Sequence, residues 1–319
     1  MTTVTEEMLW IAAQENKLFN LELIKFAIAN KKTLADLLEL EKSKFVGIKP
    51  TTLEKFLKDR ESIPFNVYQR IFDHMQKECI NIIPYRDPIF PKRLKNIEEN
   101  GIPVLLYRQG KTMLYENGVA IVGTRNCSTH AVEFARETSQ KLARLGYVIV
   151  SGLARGIDAA AHRGAISVGG LTVTVLPWMY DPYPPEHIQL LEEIKQHGSV
   201  ISENFFKSNR LDKYKFLQRN AIISGISEVL VAVESSYSGG TRWQVELALS
   251  QGKKVIAMEP EQHNKNAYDG FLKFTSKGAI GARNPDEVVE LITKAVELKD
   301  TTWDEFEYEQ LVKLKPLLE

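Results

Sequence analysis

A basic and aromatic segment between Phe205 and Asn220 holds the residues best suited to binding a charged ligand. It has the sequence FFKSNRLDKYKFLQRN, with one acid, Asp212, against the cations Lys207, Arg210, Lys213, Lys215 and Arg219. The rings interleaved with these cations are Phe205, Phe206, Tyr214 and Phe216. Cations hold a phosphate backbone and rings stack on bases, so this composition is typical of single-strand nucleic-acid binding.

Stacking carries as much weight as charge in this interpretation. A stacked base contributes about 1–3 kcal/mol, whereas an exposed ion pair contributes about 0–1 kcal/mol. The residues that we assign to the nucleic acid are Lys213, Phe216, Arg219 and Asn220. The alternative is an amphipathic helix whose basic face is only solvated.

A first loop, GTRNCS at 123–128, follows the apolar run VAIV. Gly123 permits a tight turn, and Arg125 offers a planar fork of donors suited to phosphate. The GxGxxG pattern of dinucleotide-binding folds is absent from it. The alternative is a helix-capping loop with a surface arginine.

A second loop, SGLARGID at 151–158, joins a predicted strand to a helix that contains His162. Ser151, Gly152 and Gly156 leave backbone N–H groups for an anion at the helix start, and Arg155 adds a charge. The alternative is a glycine-rich turn that only allows close helix–sheet packing. His162 alone favours a structural role.

A further loop, SSYSGGTR at 235–242, follows the run EVLVAVE. Its small residues Ser238, Gly239 and Gly240 precede a predicted helix and favour a second anion site. Thr241 is predicted as the helix cap or as a hydroxyl donor. A purely structural turn is the alternative here.

Together the four segments predict a long positive groove rather than a closed catalytic pocket. In an open α/β sheet, ligands bind beyond the carboxyl ends of the strands, and all four segments are predicted at that edge. We find no metal-ligand spacing, no catalytic set of nucleophile and base, and no motif that calls for a cofactor.

The elements that must position these loops are predicted between about 118 and 295. Short β-branched runs alternate there with helical stretches, which indicates a doubly wound, mostly parallel, Rossmann-like α/β sheet. Apolar residues at helical spacing predict a small all-helical domain over 1–80. We include the proline-containing stretch 81–117, with short strands, in an α/β domain spanning 81–295. Residues 296–319 form an acidic tail with seven acids and three bases.

Composition narrows the class of protein. The chain has 319 residues with 41 Lys+Arg and 41 Asp+Glu, so it lacks the overall basic excess of many nucleic-acid-binding proteins. Its two cysteines, Cys79 and Cys127, are too few for a disulfide framework. No apolar run approaches the roughly 18 residues of a membrane span. With no signal peptide at its N-terminus, we expect a cytoplasmic protein without membrane partners.

The motifs resemble the DprA/Smf family in order and spacing over about residues 81–260. They are FPKRLKNI, IPVLLYRQG, AIVGTR, IVSGLARGIDAAAHRGA, Tyr183-Pro184, the SEN of 202–204, FLQRNAIISGIS and SGGT. The resemblance implies a Rossmann-like homodimer that binds single-stranded DNA and loads a RecA-type recombinase during natural transformation. By position, the residues that match the family's DNA-contacting and anion-binding segments are Arg125, Ser151, Gly152, Gly156, Lys213, Phe216, Arg219, Ser238 and Gly239.

The chain departs from the family pattern in four places. Where the family has RNR, this chain has Arg219-Asn220-Ala221, with one cation fewer. Where it has SGSL, this chain has SGGT, and the usual closing Pro-Gly is Glu259-Pro260. The acidic tail stands where some members have a winged helix.

Two other functions compete with DNA binding. Gly239-Gly240-Thr241 followed by Glu246 is loosely similar to the GGxGT…E motif of lysine-decarboxylase-like phosphoribohydrolases, which suggests a nucleotide-binding enzyme. The third possibility is an adaptor whose helical N-terminal domain and acidic tail recruit partners.

Overall fold

Nine strands form one sheet in the computed structural model of the chain, which describes residues 4–97, 101–111, 117–181, 184–207 and 213–297. The strands are β1 Asn81–Pro84, β2 Leu105–Gly110, β3 Gly118–Gly123, β4 Val148–Ser151, β5 Thr172–Val175, β6 Gly198–Ser202, β7 Val229–Val233, β8 Lys254–Met258 and β9 Ile280–Ala282. Their order is β1-β2-β6-β5-β4-β3-β7-β8-β9. Strands β3 to β9 run parallel, and β1 and β2 add an antiparallel edge. The doubly wound, mostly parallel sheet predicted from the sequence is confirmed.

Alternation along the central strands explains why helices cover both faces. In β3, Val119 and Ile121 belong to one buried cluster, and Ala120 and Val122 belong to another. Successive side chains of a strand point to opposite faces, so a strand that is apolar at every position needs a layer on each side.

The helices of the α/β part supply those layers. They are α6 Thr129–Arg144, α7 Ile157–Ser167, α8 Ile188–His197, α9 Lys213–Ile226, α10 Gly240–Ser250, α11 Lys265–Thr275 and α12 Pro285–Glu297. Residues of α6, α7 and α12 pack on one face, and residues of α9, α10 and α11 pack on the other. The tail from 298 onward lies outside the described residues.

Five helices form the N-terminal bundle: α1 Glu6–Asn16, α2 Leu21–Ala29, α3 Leu34–Glu39, α4 Pro50–Asp59 and α5 Phe65–Lys77. Thr33 caps α3, and with Asp36 it completes a capping box at the start of this helix. The rings of Phe19, Phe45 and Phe56 meet at its centre.

Hydrogen bonds join the bundle to the sheet. Oε1 of Gln14 accepts from the backbone N–H groups of Val104 and Leu105, at 3.2 and 3.3 Å. Oε1 of Glu15 accepts from the Tyr107 hydroxyl and the Phe205 N–H, both at 2.9 Å. The bundle is therefore fixed against β2 and against the chain that leaves β6.

The described residues contain neither a membrane-spanning helix nor a cluster of metal-binding side chains. None of their helices is long and apolar enough to cross a membrane. No group of three or more of their His, Cys, Asp and Glu side chains is arranged to hold a metal ion.

Candidate nucleic-acid interface

The carboxyl ends of the parallel strands bring three of the four predicted segments together. The segments after β3 and β4 and the start of α9 enclose a small open cleft, which we name the strand-end cleft. It is lined by Arg125, Gly152, Ala154, Arg155, Pro177, Pro184, Phe216 and Arg219. The fourth segment follows β7 at the same edge of the sheet, but its residues are not part of this lining.

Arg219 forms the floor of the strand-end cleft and is 8% exposed. Its Nε donates to the carbonyl oxygen of Val175 at 3.1 Å, and its Nη2 donates to the carbonyl oxygen of Gly152. The same Nη2 lies 3.6 Å from Oδ2 of Asp158. The sequence predicts Arg219 as a phosphate contact, but its guanidinium is already engaged in holding the ends of β4 and β5. We therefore assign it a positioning role.

Asp158 and Arg219 form a buried ion pair. Burial lowers the pKa of the Arg219 guanidinium and raises the pKa of the Asp158 carboxyl, and each charge opposes the shift of the other. Removing one partner of such a pair leaves an uncompensated buried charge, which is strongly destabilising.

The anion predicted for the second loop is supplied by the protein itself. Oδ2 of Asp158 accepts from the N–H groups of Gly152 and Ala154, at 3.2 and 3.3 Å. These N–H groups are thus satisfied by a carboxylate rather than left for an external phosphate. The packing alternative for this loop also applies, because a Cβ at Gly152 would overlap the Arg219 guanidinium.

Gly156 has a structural requirement of its own. Its φ of +74° lies in the left-handed region, and a Cβ there would stand 2.6 Å from the carbonyl oxygen of Thr124. Ser151 is fully buried and donates its hydroxyl to the carbonyl oxygen of Ile121 at 2.6 Å. Both residues therefore position the backbone of the loop that lines the cleft.

Phe216 forms one wall of the strand-end cleft, and the buried side chain of Trp178 packs against its ring. The half-buried ring of Phe216 meets the ring of Trp178 edge-on, with centroids 5.8 Å apart and planes at 83°. Nζ of Lys207 lies 5.8 Å from the centre of the Trp178 ring. Sequence reasoning missed Trp178, although it follows the end of β5 at the same edge of the sheet. Applying the strand-end rule to every strand would have found it.

The exposed cations of the cleft are Arg125 and Arg155. Arg125 is exposed, and no hydrogen bond or ion pair to its side chain is found among the residues that the structure describes. Arg155 pairs with Glu186 across the cleft mouth, and its side chain is 64% exposed. Of these two residues, Arg125 is the better placed to meet a phosphate without first breaking an ion pair.

The remaining predicted residues of the basic and aromatic segment lie on α9. Lys213 is the first residue of this helix. Oδ1 of Asn220 accepts from Nη1 of Arg219 at 3.0 Å, so this amide supports the buried arginine. Lys215 donates to the carbonyl oxygen of Phe206 at 2.7 Å.

The fourth segment forms a tight turn before α10. Gly239 is the N-cap and donates its N–H to the carbonyl oxygen of Ser236 at 3.0 Å, and Ser238 contacts the hydroxyl of Ser236 at 3.3 Å. The prediction that Thr241 caps the helix is wrong, because α10 begins at Gly240 and Thr241 is buried in its first turn. The open side of Gly240 has no atom within 4 Å of an added Cβ.

Neighbouring side chains of the protein contact the Glu246 carboxylate. Its Oε1 accepts from Nζ of Lys277 at 2.6 Å and from the Tyr237 hydroxyl at 3.0 Å, and Nε of Arg242 lies 3.6 Å from its Oε2. The hydrogen bond from Lys277 lowers the pKa of this carboxyl. These contacts disfavour the phosphoribohydrolase alternative, in which Glu246 would face a substrate.

Comparison with known proteins gives a consistent result. The family model for DNA recombination-mediator protein A matches residues 81–293. DNA processing protein DprA of Bacillus subtilis is 31% identical over 69% of this chain and 74% of its own length. Protein Smf of Synechocystis is 33% identical over 71% of this chain and 57% of its own length, so the match spans little more than half of that relative.

Two solved structures share the architecture. The X-ray structure of DprA from Streptococcus pneumoniae superposes with a TM-score of 0.71 at 26% identity, covering 91% of this chain and 98% of that one. A structure of DprA from Helicobacter pylori, whose study concerns a single-stranded DNA binding mode, gives 0.59 at 27% identity, covering 68% and 96%.

Proposed function

The chain belongs to the DNA recombination-mediator protein A family, and from this premise we propose that it binds single-stranded DNA along the strand-end cleft. The observation that carries the proposal is the pairing of an exposed cation with an aromatic wall. Arg125 lies at the cleft beside the half-buried ring of Phe216, which Trp178 supports from the side. The Helicobacter pylori relative, described as a single-stranded DNA binder, supports this ligand.

The proposed roles differ along the cleft. Phe216 stacks on a base, and Arg125 and Arg155 neutralise phosphates, with Lys213 at the start of α9 and the open side of Gly240 continuing the path. Arg219, Asp158, Gly152, Gly156 and Ser151 hold the loops in place. We assign no bond-breaking step to these residues, and the proposed function is that of a binding protein.

The resemblance extends the proposal beyond DNA binding. We propose that the bound strand is presented to a RecA-type recombinase by a homodimer in the cytoplasm, with residues 81–295 carrying the DNA site and the bundle of residues 1–80 acting as an accessory domain. The family's role as a recombination mediator supports this assignment.

The DNA-binding proposal is tested by titrating labelled single- and double-stranded oligonucleotides of one sequence. Each form is titrated at low and at high salt. We expect a preference for the single strand and an affinity that falls with salt by about 0.7 log units per log unit for each phosphate neutralised. Equal affinity for both forms, or no dependence on salt, would overturn it. Copurification with a RecA-type recombinase and the mass of the free protein in solution test the remaining parts.

A further inference from the structure

A larger cavity lies between the N-terminal bundle and the α/β part, with α9 separating it from the strand-end cleft. This bundle cavity has a volume of about 570 Å³, within the range of small-molecule sites. The residues that line it include Gln14, Lys17, Phe19, Asn20, Glu22, Lys25, Lys49, Thr52, residues 101–104, Glu203, Tyr214 and Gln218. Glu203 follows β6, so the cavity also lies at the carboxyl edge of the sheet, where open α/β folds bind ligands.

Glu203 is a buried acidic residue in the lining of the bundle cavity. Its side chain is buried at 3% exposure, and its Oε1 has no hydrogen-bond partner among the described residues. A buried carboxylate oxygen without a donor is costly, and such groups in native proteins are normally satisfied. A bound ligand that donates an N–H group to this oxygen would remove that cost.

Two other polar side chains that line the bundle cavity, Glu22 and Gln14, already have hydrogen-bond partners. Both carboxylate oxygens of Glu22 accept hydrogen bonds, from the Lys49 N–H at 2.9 Å and from the Thr52 hydroxyl at 2.7 Å. Gln14 accepts from the backbone N–H groups of Val104 and Leu105, at the start of β2. The need for a donor is therefore concentrated at Glu203.

The rim of the bundle cavity is positive and carries an exposed ring. Lys17, Lys25 and Lys49 are exposed there, and Tyr214 of α9 is 54% exposed. A cationic ligand would face these lysines, whereas a ligand with a phosphate would complement them. The ligand therefore combines an N–H donor edge, a flat body that stacks, and an anionic end.

We propose that the bundle cavity binds a guanine nucleotide, with the base donating to Oε1 of Glu203 and the phosphate lying at the lysine rim. Guanine presents two adjacent donors, N1–H and N2–H₂, on its Watson–Crick edge. Adenine and cytosine place an acceptor beside their amino donor, and uracil and thymine flank one N–H with two acceptors, so each would set a lone pair against the carboxylate. The guanine can come from a free nucleotide or from a base within a single strand.

Calorimetry of GMP, AMP, CMP and UMP with the full chain at pH 8, above the raised pKa of the Glu203 carboxyl, tests the base. We expect GMP to bind and Glu203→Gln to weaken it about tenfold or more, because the neutral amide loses the charge-assisted bond. Glu193→Gln, at an exposed glutamate of α8, is the matched control. Equal binding of all four nucleotides, no binding of GMP, or wild-type GMP affinity in Glu203→Gln at unchanged folding would overturn the proposal.

Guanosine, which lacks the phosphate of GMP, tests the proposed phosphate contact at the lysine rim. Lys49→Ala should weaken GMP while leaving guanosine unchanged, and equal weakening of both would contradict a phosphate at the rim. Phe216→Ala separates this site from the strand-end cleft, because it should leave GMP affinity unaltered while lowering affinity for oligothymidine.

Oligonucleotides distinguish the two sources of guanine. If a guanine within a thymidine strand raises affinity in the wild type but not in Glu203→Gln, the base comes from DNA. If GMP responds to the substitution and the strand does not, the ligand is a free nucleotide. Either result supports the guanine site, and an effect on neither overturns it.

Discussion

The strand-end cleft and the bundle cavity lie on opposite sides of α9, and they treat buried charge in opposite ways. In the cleft, Arg219 and Asp158 pair with each other and with backbone groups. In the cavity, Glu203 keeps one buried oxygen without a partner among the described residues. The paired charges of the cleft fix its loops, whereas we propose that the unpartnered oxygen of Glu203 binds a ligand. Charge alone therefore does not identify the binding residues, and the hydrogen-bond partners of each charge must be known.

We expect the largest loss of stability from a substitution at Arg219, which belongs to the paired charges of the strand-end cleft. Arg219→Ala leaves Asp158 buried without its cation, and we expect the free energy of unfolding to fall by about 3–5 kcal/mol. Urea unfolding measures it, with Arg163→Ala at an exposed arginine of α7 as the control. The further change Asp158→Asn should recover part of the loss. A decrease no larger than that of the control would show that Arg219 does not position the cleft.

Glu203 provides the opposite case, because burial raises its pKa from 4.5 to about 7. Between about pH 4.5 and pH 7 the folded protein keeps a proton that the unfolded chain releases. The free energy of unfolding therefore falls as pH rises through this range, and the loss is complete above about pH 7. The shift corresponds to at most about 3 kcal/mol at 1.36 kcal/mol per unit. The groups that act on it are Lys17, Lys215, Glu15 and Asn204.

Glu203→Gln should therefore gain stability relative to the wild type as pH rises from about 5 to about 8, measured by thermal unfolding. Glu193→Gln, at an exposed position, should show no such trend. A stability difference between Glu203→Gln and wild type that stays constant over this range would mean that Glu203 is ionised at both ends of it.

Phe216 tests whether stacking drives binding in the strand-end cleft. Phe216→Ala removes the ring beside Trp178 and should cost about 1–3 kcal/mol of binding to oligothymidine, which is roughly 5- to 150-fold in Kd. Fluorescence anisotropy measures it, and Leu217→Ala, an exposed neighbour on α9, is the control. If the two variants bind alike, the aromatic wall is not a stacking surface.

Arg125 gives the smallest expected effect, since it is exposed and the described residues offer it no ion pair. Arg125→Ala should leave the melting temperature unchanged and reduce the slope of log affinity against log salt by about 0.7. Arg144→Ala, which removes an exposed charge from the end of α6, should leave the slope as it is. An unchanged slope in Arg125→Ala would exclude a phosphate contact.

The sheet was predictable because its signals are local. Runs such as VAIV and EVLVAVE are apolar at every position, which indicates strands covered on both faces, and they became β3 and β7. Since parallel strands share one carboxyl edge, the sequence also predicted that the loops after them lie at that edge. The capping of α3 by Thr33 was local in the same way.

The roles of individual residues were less predictable because they depend on distant partners. Arg219 has the composition of a phosphate ligand, yet carbonyl oxygens 44 and 67 residues away bind its guanidinium. Trp178 contributes to the cleft only through its edge-on contact with the ring of Phe216. Glu203 belongs to the SEN motif of 202–204, and the sequence assigns no role to it. Its burial and its oxygen without a partner among the described residues become evident only from the packing of the bundle on the sheet.

The sequence by itself determined the fold class, the edge of the sheet that carries the loops, and the residue types available there. Periodicity and turn chemistry are properties of neighbouring residues, so a single chain displays them directly. The tertiary structure decided which charges are paired and which are open to a ligand. Burial and hydrogen bonding depend on residues brought together from different parts of the chain. These contacts distinguish the buried, hydrogen-bonded Arg219 from the exposed Arg125, and they leave Oε1 of Glu203 without a partner among the described residues.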